Sequence, residues 1–168
     1  MKEPGIIIRR AEETDLPALT DIYNYEILHS DSTFAITPKT HQERLLWLRE
    51  HNIGNHPLIV AVDSDEVIGY ASLSPYRNME AYSGTVELSV YVHRDHRGKG
   101  VGEKLCRHII DMAKLDKTTV TVVSVITSDN QTSIALHQKL GFEFCGELKN
   151  VGIKHGRLLS IKNYQLMV

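Results

Sequence analysis

The segment HRDHRGKGVGEKL, residues 93 to 105, restricts the possible folds more than any other part of the chain. It follows the apolar strand pattern VELSVYV and leads into a stretch with helical spacing of its apolar residues, Val101, Leu105, Ile109 and Met112. The first N–H groups of a helix have no partner within the helix, and together with the helix dipole they attract anions. Glycines lack a Cβ atom, so Gly98, Gly100 and Gly102 allow a close backbone approach to a ligand. The pattern predicts an α/β unit with an anion site where the helix begins.

Five explanations of this segment compete: a nucleic-acid patch, a metal site, a dinucleotide site, a cradle for another phosphate group, and a plain helix-capping turn. The net charge of -2 and the pI near 6.5 argue against nucleic acid. His93 and His96 lack a third ligand at metal-binding spacing, so we expect no metal. The third glycine comes one residue too early for GxGxxG, and no Gly-Lys-Ser/Thr sequence is present. The phosphate cradle and the capping turn remain.

The composition predicts one globular domain over residues 1–168. Apolar residues make up 42% of the chain and charged residues 24%, as in soluble proteins with a packed core. Apolar runs such as PLIVAV are too short to cross a membrane, and the first residues contain no apolar signal core, so we expect neither a membrane nor secretion. Two cysteines form no disulfide framework, which favours the cytoplasm.

The pattern of apolar residues predicts elements in the order β-α-α-β-β-β-α-β-α-β-β. Thr14 is the expected N-cap of the first helix, and Ser64-Asp65 is the expected turn of a hairpin. Strands that alternate with helices in this way are typical of an α/β protein with a mixed sheet and helices on both of its faces.

The strand TVELSVYV carries polar side chains at every second position. A period of two places Thr85, Glu87, Ser89 and Tyr91 on one face of the sheet and four apolar residues on the other. A carboxylate in the middle of such a strand is unusual where both faces are covered. Glu87 is therefore either a general base or a solvated residue of an open sheet face.

Several segments in their order along the chain resemble the GNAT N-acetyltransferase superfamily. RGKGVG, residues 97–102, resembles its phosphate loop, and NQTSIALHQKLGF resembles its later asparagine-containing helix. IYNYEI, VELSVYVH and GIKHGR most resemble the phosphinothricin and L-methionine sulfoximine acetyltransferase branch. The resemblance covers nearly the whole chain, and it implies the acyl-CoA N-acyltransferase fold.

The resemblance implies acetyl-CoA as the acetyl donor and assigns residues to it. The backbone of Val90, Tyr91 and Val92 would pair with the pantetheine arm as an added strand does. Asn130 would bind the cofactor, or it is only the N-cap of its helix. The pyrophosphate would be held by the loop residues Arg97, Gly98, Lys99, Gly100, Val101 and Gly102.

The resemblance also implies transfer to the α-amino group of a small amino-acid-like acceptor of the phosphinothricin, methionine sulfoximine or methionine sulfone type. Glu87 would be the general base, and His137 would be the acid for the thiolate or would only pack on the cofactor. Acceptor-binding candidates are Tyr76, Arg77, Glu80, Ala81, Tyr82, Glu87 and Ser89, with Arg77 as a carboxylate clamp. The superfamily suggests a homodimer. The alternatives are a protein N-terminal or lysine acetyltransferase and a non-catalytic acetyl-CoA sensor.

Overall fold

The computed structural model describes residues 5–168, which form one seven-stranded mixed sheet with two α-helices on each face. The strands are β1 (Ile7–Arg10), β2 (Leu58–Asp63), β3 (Glu66–Pro75), β4 (Thr85–Val92), β5 (Thr121–Thr127), β6 (Glu143–Lys154) and β7 (Arg157–Met167). The helices are α1 (Leu16–His29), α2 (His41–Arg49), α3 (Val101–Leu115) and α4 (Gln131–Lys139). The predicted fold class and order of elements are confirmed. The prediction that the first residues contain no apolar signal core concerns in part residues 1–4, which lie outside the described residues.

The alternation of side chains along the strands divides the core into two layers. On β2, Leu58 and Val60 pack toward α1 and α2, whereas Ile59 and Ala61 pack toward α3. Of the α3 residues at helical spacing, Val101, Leu105 and Ile109 are buried, and Met112 is half-buried. Within residues 5–168, no helix is long and apolar enough to cross a membrane.

The chain enters α1 differently from the prediction, and the assignment of Thr14 as the N-cap is wrong. A short 3-10 turn, Glu13–Asp15, precedes the helix, and Thr14 lies within it. The carboxylate of Asp15 accepts the backbone N–H of Glu12 at 2.8 Å and two bonds from Arg9 at 2.7 and 2.8 Å. Asp15 completes a capping box with Glu12 around the 3-10 turn and also neutralises Arg9, and the backbone of Asp15 takes the N-cap position of α1 in place of Thr14.

The hairpin between β2 and β3 forms where it was predicted. Ser64 and Asp65 both have positive φ angles, 49° and 69°, as a type I′ turn requires of its two central residues. The turn fixes the pairs nearest to it, and a register shift between Ala61 and Val62 sets the pairing of the rest of β3, whose other edge pairs with β4.

The strand order β1-β2-β3-β4-β5-β7-β6 contains one parallel pair, β4 with β5, and that pair is short. Only three residue pairs join the two strands, and the last is Glu87 with Val123. Beyond it β5 stays paired with β7, and β4 stays paired with β3 as far as Val92. From Leu88 onward, the edge of β4 that faces β5 is therefore open, and we call this opening the fork.

Candidate active site

The glycine-rich loop forms a turn that leaves the start of α3 free. Gly98 and Gly100 have φ angles of 71° and 78°, in the left-handed region that glycine adopts without strain. The first bond of the helix runs from Lys104 N–H to the carbonyl of Gly100 at 3.1 Å, so the three preceding N–H groups have no partner in the helix. Such groups are suited to binding an anion.

Gly102 has a different role from the other two glycines, because its φ angle is not positive. A Cβ atom on Gly102 would lie 3.6 Å from Val92 Cγ2 and 3.7 Å from Leu136 Cδ2, which is ordinary contact. Protein packing therefore tolerates a methyl group here. Its absence widens the space between β4 and α4.

A phosphate-side cleft of about 640 Å³ runs from the start of α3 along the open edge of β4 to α4. Lys99 is not part of its wall, since its Nζ donates to the carbonyl of Asp95 at 3.1 Å. The other residues predicted to bind the cofactor line this cleft: Val90, Tyr91, Val92, Arg97, Gly98, Gly100, Val101, Gly102 and Asn130.

Glu26 holds Arg97 at the mouth of the phosphate-side cleft. The two side chains form an ion pair, and the carboxylate of Glu26 is 5% exposed. Ser30 and Ser32 donate their hydroxyls to the same carboxylate at 2.6 and 2.9 Å. The guanidinium retains further N–H groups that can donate to an anion. Sequence reasoning missed Glu26, although it lies in the quoted motif IYNYEI.

Asn130 caps α4, as one of its two predicted roles requires. Its Oδ1 accepts the backbone N–H of Ser133 at 3.1 Å. The side-chain amide faces the space where the phosphate-side cleft meets a second cavity, and Asn130 lines both. The cofactor role of Asn130 stays a prediction.

Glu87 lies at the base of the fork, in the wall of a reaction cavity of about 490 Å³. This cavity shares Val90, Tyr91 and Asn130 with the phosphate-side cleft, so the two spaces adjoin each other. Burial raises the pKa of the Glu87 carboxyl. A carboxylate with a raised pKa is a stronger base, which suits proton abstraction near neutral pH.

His137 also lines the reaction cavity, and it is 2% exposed. Its Nδ1 lies 2.7 Å from the carbonyl oxygen of Ser133, so this nitrogen carries the proton. Nε2 is buried and has no hydrogen-bond partner within residues 5–168. Burial lowers the pKa of His137, and its ring packs edge-on against Phe142. The neutral ring therefore has an unpaired acceptor at Nε2 among the described residues, and acting as an acid would first require protonation of Nε2.

Ser124 is a residue of the reaction cavity that sequence reasoning missed. It lies on β5, and its hydroxyl is buried without a partner among the described residues. A serine within the β-branched run TTVTVVSVI was the available signal.

A third space of about 280 Å³, which we call the α2 cleft, lies beside the reaction cavity. The two share Ser89 and Tyr91, which lie on the same face of β4 as Glu87. Its floor includes Ser72 and Ser74 of β3, which pair with Ser89 and Glu87 of β4. Its roof comes from α1 and α2: Tyr23, Arg44 and Trp47. Sequence reasoning predicted Ser89 here but none of the roof residues.

The predicted acceptor loop after β3 forms a cluster outside these three spaces. The Arg77 guanidinium lies 5.2 Å from the ring centroid of Tyr76 and 5.8 Å from that of Tyr82, and the two rings are 5.6 Å apart. Arg77, Glu80 and Ala81 are exposed, and no residue of the cluster lines the clefts described above. Tyr76 bonds the carbonyl of Thr85, so the cluster borders the Glu87 end of β4. The acceptor roles of these residues stay predictions.

The histidines of the loop before α3 contact each other and not a metal-binding group. The rings of His93 and His96 lie 5.8 Å apart in an edge-on arrangement. Among residues 5–168, no three side chains of His, Cys, Asp or Glu come together as a metal site.

A free helix start, a forked pair of strands and a half-buried carboxylate at the base of the fork are typical of one class of protein. Such a site would suit a transferase whose donor carries phosphate and lies extended along a strand edge, with its reactive end beside a base. Residues 22–142 match the acetyltransferase (GNAT) family, and the chain belongs to that family.

Relatives and solved structures extend this similarity to nearly the full chain. The chain is 40% identical to the L-methionine sulfoximine/L-methionine sulfone acetyltransferase of Pseudomonas aeruginosa, over 95% of this chain and 92% of that protein. A phosphinothricin acetyltransferase of Sinorhizobium meliloti, solved in complex with acetyl-CoA, superposes with a TM-score of 0.93 at 35% identity, covering 97% and 88% of the two chains. A ribosomal-protein-alanine N-acetyltransferase of Brucella melitensis superposes equally well, with a TM-score of 0.93 at 38% identity and 96% and 99% coverage.

Proposed function

We propose that this acetyltransferase moves the acetyl group of acetyl-CoA to the α-amino group of a free L-amino acid with a polar, tetrahedral side-chain group. The observation that carries the proposal is the fork, where two adjoining cavities lie between a free helix start and a half-buried carboxylate, Glu87. The names of the Pseudomonas and Sinorhizobium relatives support the choice of donor and acceptor.

The residues present fit acetyl-CoA. Its pyrophosphate needs N–H donors and positive charge, which the start of α3 and Arg97 supply. Its amide-bearing arm needs backbone partners, and the open edge of β4 from Val90 to Val92 supplies them. Lys99 would add only charge at the rim, because its ammonium is bonded to the loop itself.

The chemistry asks little of the protein beyond proton transfer and orientation. When bound, acetyl-CoA supplies a thioester carbonyl that an amine attacks directly. Glu87 takes the proton of the amine, directly or through a water molecule. His137 and Ser124 lie in the wall of the same cavity, each with a buried polar atom that has no partner among the described residues, and we assign both a positioning role. The role of His137 as the acid for the thiolate requires a protonated ring.

We assign to Arg77 the binding of the acceptor's α-carboxylate. The guanidinium is exposed beside the two tyrosine rings at the Glu87 end of β4, so a bidentate carboxylate pair can form there. Tyr76 and Tyr82 would wall the acceptor, with Glu80, Ala81 and Ser89 around it. Because a carboxylate lies two bonds from the amine, fixing it would aim the nitrogen at the donor.

The assembly and the compartment are proposed on separate grounds. A homodimer is supported by apolar side chains exposed on the edge strand β6, which a second copy would cover. The cytoplasm is supported by the two thiols, since Cys106 is buried and free and Cys145 is exposed and free.

Acceptor choice tests the proposal. The purified protein is given acetyl-CoA with L-methionine sulfone, with the amide of that amino acid, or with a peptide that begins with alanine, and released thiol is measured. We expect turnover of the amino acid and at least about tenfold lower kcat/KM for the amide, because the amide lacks the charged partner for Arg77. The peptide represents the activity named for the Brucella relative. Turnover of the peptide alone would replace the proposed function, and equal rates on acid and amide would remove Arg77 as the clamp.

A further inference from the structure

Arg44 is a buried cation on α2 that none of the roles above uses. It is 4% exposed, and its guanidinium lies 3.8 Å from the ring centroid of Trp47 and 4.6 Å from that of Tyr23. One N–H group, at Nη2, donates to the hydroxyl of Tyr70 at 3.3 Å. These contacts fix the plane of the guanidinium in the roof of the α2 cleft.

The contacts leave Arg44 without a negative partner. Within residues 5–168, no carboxylate forms an ion pair with it, and its Nε is buried without a hydrogen bond. Glu43 also lines the cleft, but its carboxylate accepts the backbone N–H of Thr40 at 2.8 Å. A buried charge that lacks a partner is costly, and aromatic faces offset only part of that cost. A ligand with negatively charged or strongly polar oxygens would supply the missing partner.

The register of β3 and β4 indicates which part of an acceptor reaches Arg44. Ser74 pairs with Glu87, Ser72 with Ser89, and Tyr70 with Tyr91. The hydroxyl of Tyr70 accepts a hydrogen bond from Arg44. Its partner on β4, Tyr91, lies four residues from Glu87, which is about 13 Å along the strand at about 3.3 Å per residue. The α-carboxylate is too close to the amine to span this separation, whereas the end of a side chain can approach Arg44.

We propose that the α2 cleft is the side-chain subsite of the enzyme, in which Arg44 binds the oxygen-bearing group, such as a sulfone, phosphinate or carboxylate, at the far end of the acceptor. The proposal rests on the proposed function, since it takes the amine to lie at Glu87. The serine hydroxyls of the floor, Ser72, Ser74 and Ser89, complete the polar lining. Arg44 thus determines which amino acids are acetylated.

Trp47 gives a direct test that needs no turnover. It is the only tryptophan of the sequence, and its ring stacks on Arg44. Fluorescence is followed while L-methionine sulfone is added to the wild type, to Arg44→Met and to Arg49→Met. Arg49 lies on the same helix but is exposed and paired with Glu13, so its variant is the matched control. We expect saturable binding in the wild type and the control, and about tenfold or weaker binding in Arg44→Met, because charge-assisted hydrogen bonds are lost.

Steady-state kinetics separate specificity from folding. The ratio of kcat/KM for L-methionine sulfone to that for norleucine, an apolar acceptor, should fall by about tenfold or more in Arg44→Met and stay constant in Arg49→Met. Equal losses on both acceptors would make Arg44 structural and overturn the proposal. Should Arg44→Met not fold, Arg44→Lys keeps the charge and loses the planar fork, and the same ratio decides.

The two proposals fail in different ways. A wild type that acetylates no free amino acid rejects the proposed function, while the fluorescence titration still decides whether the α2 cleft binds the sulfone group. A wild type that acetylates the sulfone without any response of Trp47 rejects the subsite alone.

Discussion

Glu87 combines two demands that oppose each other at a single residue. Its place in the last paired row of β4 and β5 keeps the carboxyl away from bulk water, and this burial raises its pKa. The same burial makes the ionised form less stable in the folded protein than in the unfolded chain. The residue that we assign to proton transfer is therefore one that weakens the fold when it is ready to act.

Replacing Glu87 with glutamine should lower the rate and stabilise the protein. Turnover should fall about a hundredfold or more, because glutamine cannot accept the proton. A carboxyl whose folded pKa is raised costs stability above its unfolded pKa of about 4.3, and the full cost is present above the folded pKa. Glu87→Gln should therefore have the higher Tm at pH 8, and the difference should disappear by about pH 4.

Thermal unfolding across this pH range and turnover with saturating acetyl-CoA measure the two effects. Glu66→Gln, an exposed carboxylate at the start of β3, is the control and should change neither. An unchanged rate would remove Glu87 from the chemistry, and a Tm difference that persists at pH 4 would have another cause.

At the scale of the element, the start of α3 uses its three glycines for two different purposes. Gly98 and Gly100 are needed for their left-handed backbone, so any side chain there strains the turn whether or not a ligand is bound. Gly102 has ordinary backbone geometry and borders the space between Val92 and Leu136. A substitution at Gly102 therefore tests ligand approach without testing the turn.

Gly102→Ala should leave the fold intact and weaken the binding of acetyl-CoA. The new methyl group makes ordinary contacts with Val92 and Leu136, and alanine is favoured over glycine within a helix by about 0.5–1 kcal/mol. The same methyl group narrows the phosphate-side cleft, so we expect about tenfold weaker binding by calorimetric titration, roughly the cost of one displaced charge-assisted contact. Lys104→Ala, on the exposed side of the same turn, should bind as the wild type does. Undiminished affinity in Gly102→Ala would argue against this position of the donor.

The elements that could be predicted from the sequence are those with local causes. The period of two in β4, the helical spacing in α3 and the turn at Ser64 each lie within one continuous stretch, and each forms as predicted. The error at Thr14 has its cause in the neighbouring element, because Arg9 of β1 and the backbone N–H of Glu12 both bind the carboxylate of Asp15.

The parts of the site that escaped prediction come from contacts between distant segments. Arg44 on α2 meets Tyr70 on β3, and Arg97 meets Glu26 on α1. No sequence pattern pairs these residues with each other, although Arg97 by itself belongs to the predicted phosphate loop and Glu26 to the motif IYNYEI. The length of the pairing between β4 and β5 is equally hidden, since both strands continue beyond it.

At the scale of the whole molecule, the edge strand β6 is the surface that most needs a partner. Exposed apolar side chains along it include Phe144, Leu148, Val151 and Ile153, each with at least half of its surface accessible. An apolar edge strand that stays uncovered invites uncontrolled association. A defined homodimer would bury it.

Leu148→Glu should therefore shift the protein from dimer to monomer. A charge placed in the centre of an apolar interface costs about 2 kcal/mol or more, so dissociation should become roughly thirtyfold easier. Sedimentation or light scattering at several concentrations measures this change. Leu115→Glu is the control, since Leu115 ends α3 and is 83% exposed away from β6. A wild type that is monomeric at every concentration would contradict the proposed assembly.

The fork has a consequence for the lifetime of the protein in a cell. Only three residue pairs join β4 to β5. A donor bound along the open edge of β4 would form the backbone hydrogen bonds that β5 does not form there. Occupancy then stabilises the folded state by mass action, by about 2.7 kcal/mol at a hundredfold excess over the dissociation constant. A fall in the concentration of acetyl-CoA would reduce this stabilisation and raise the opened fraction of the protein, on which proteases act.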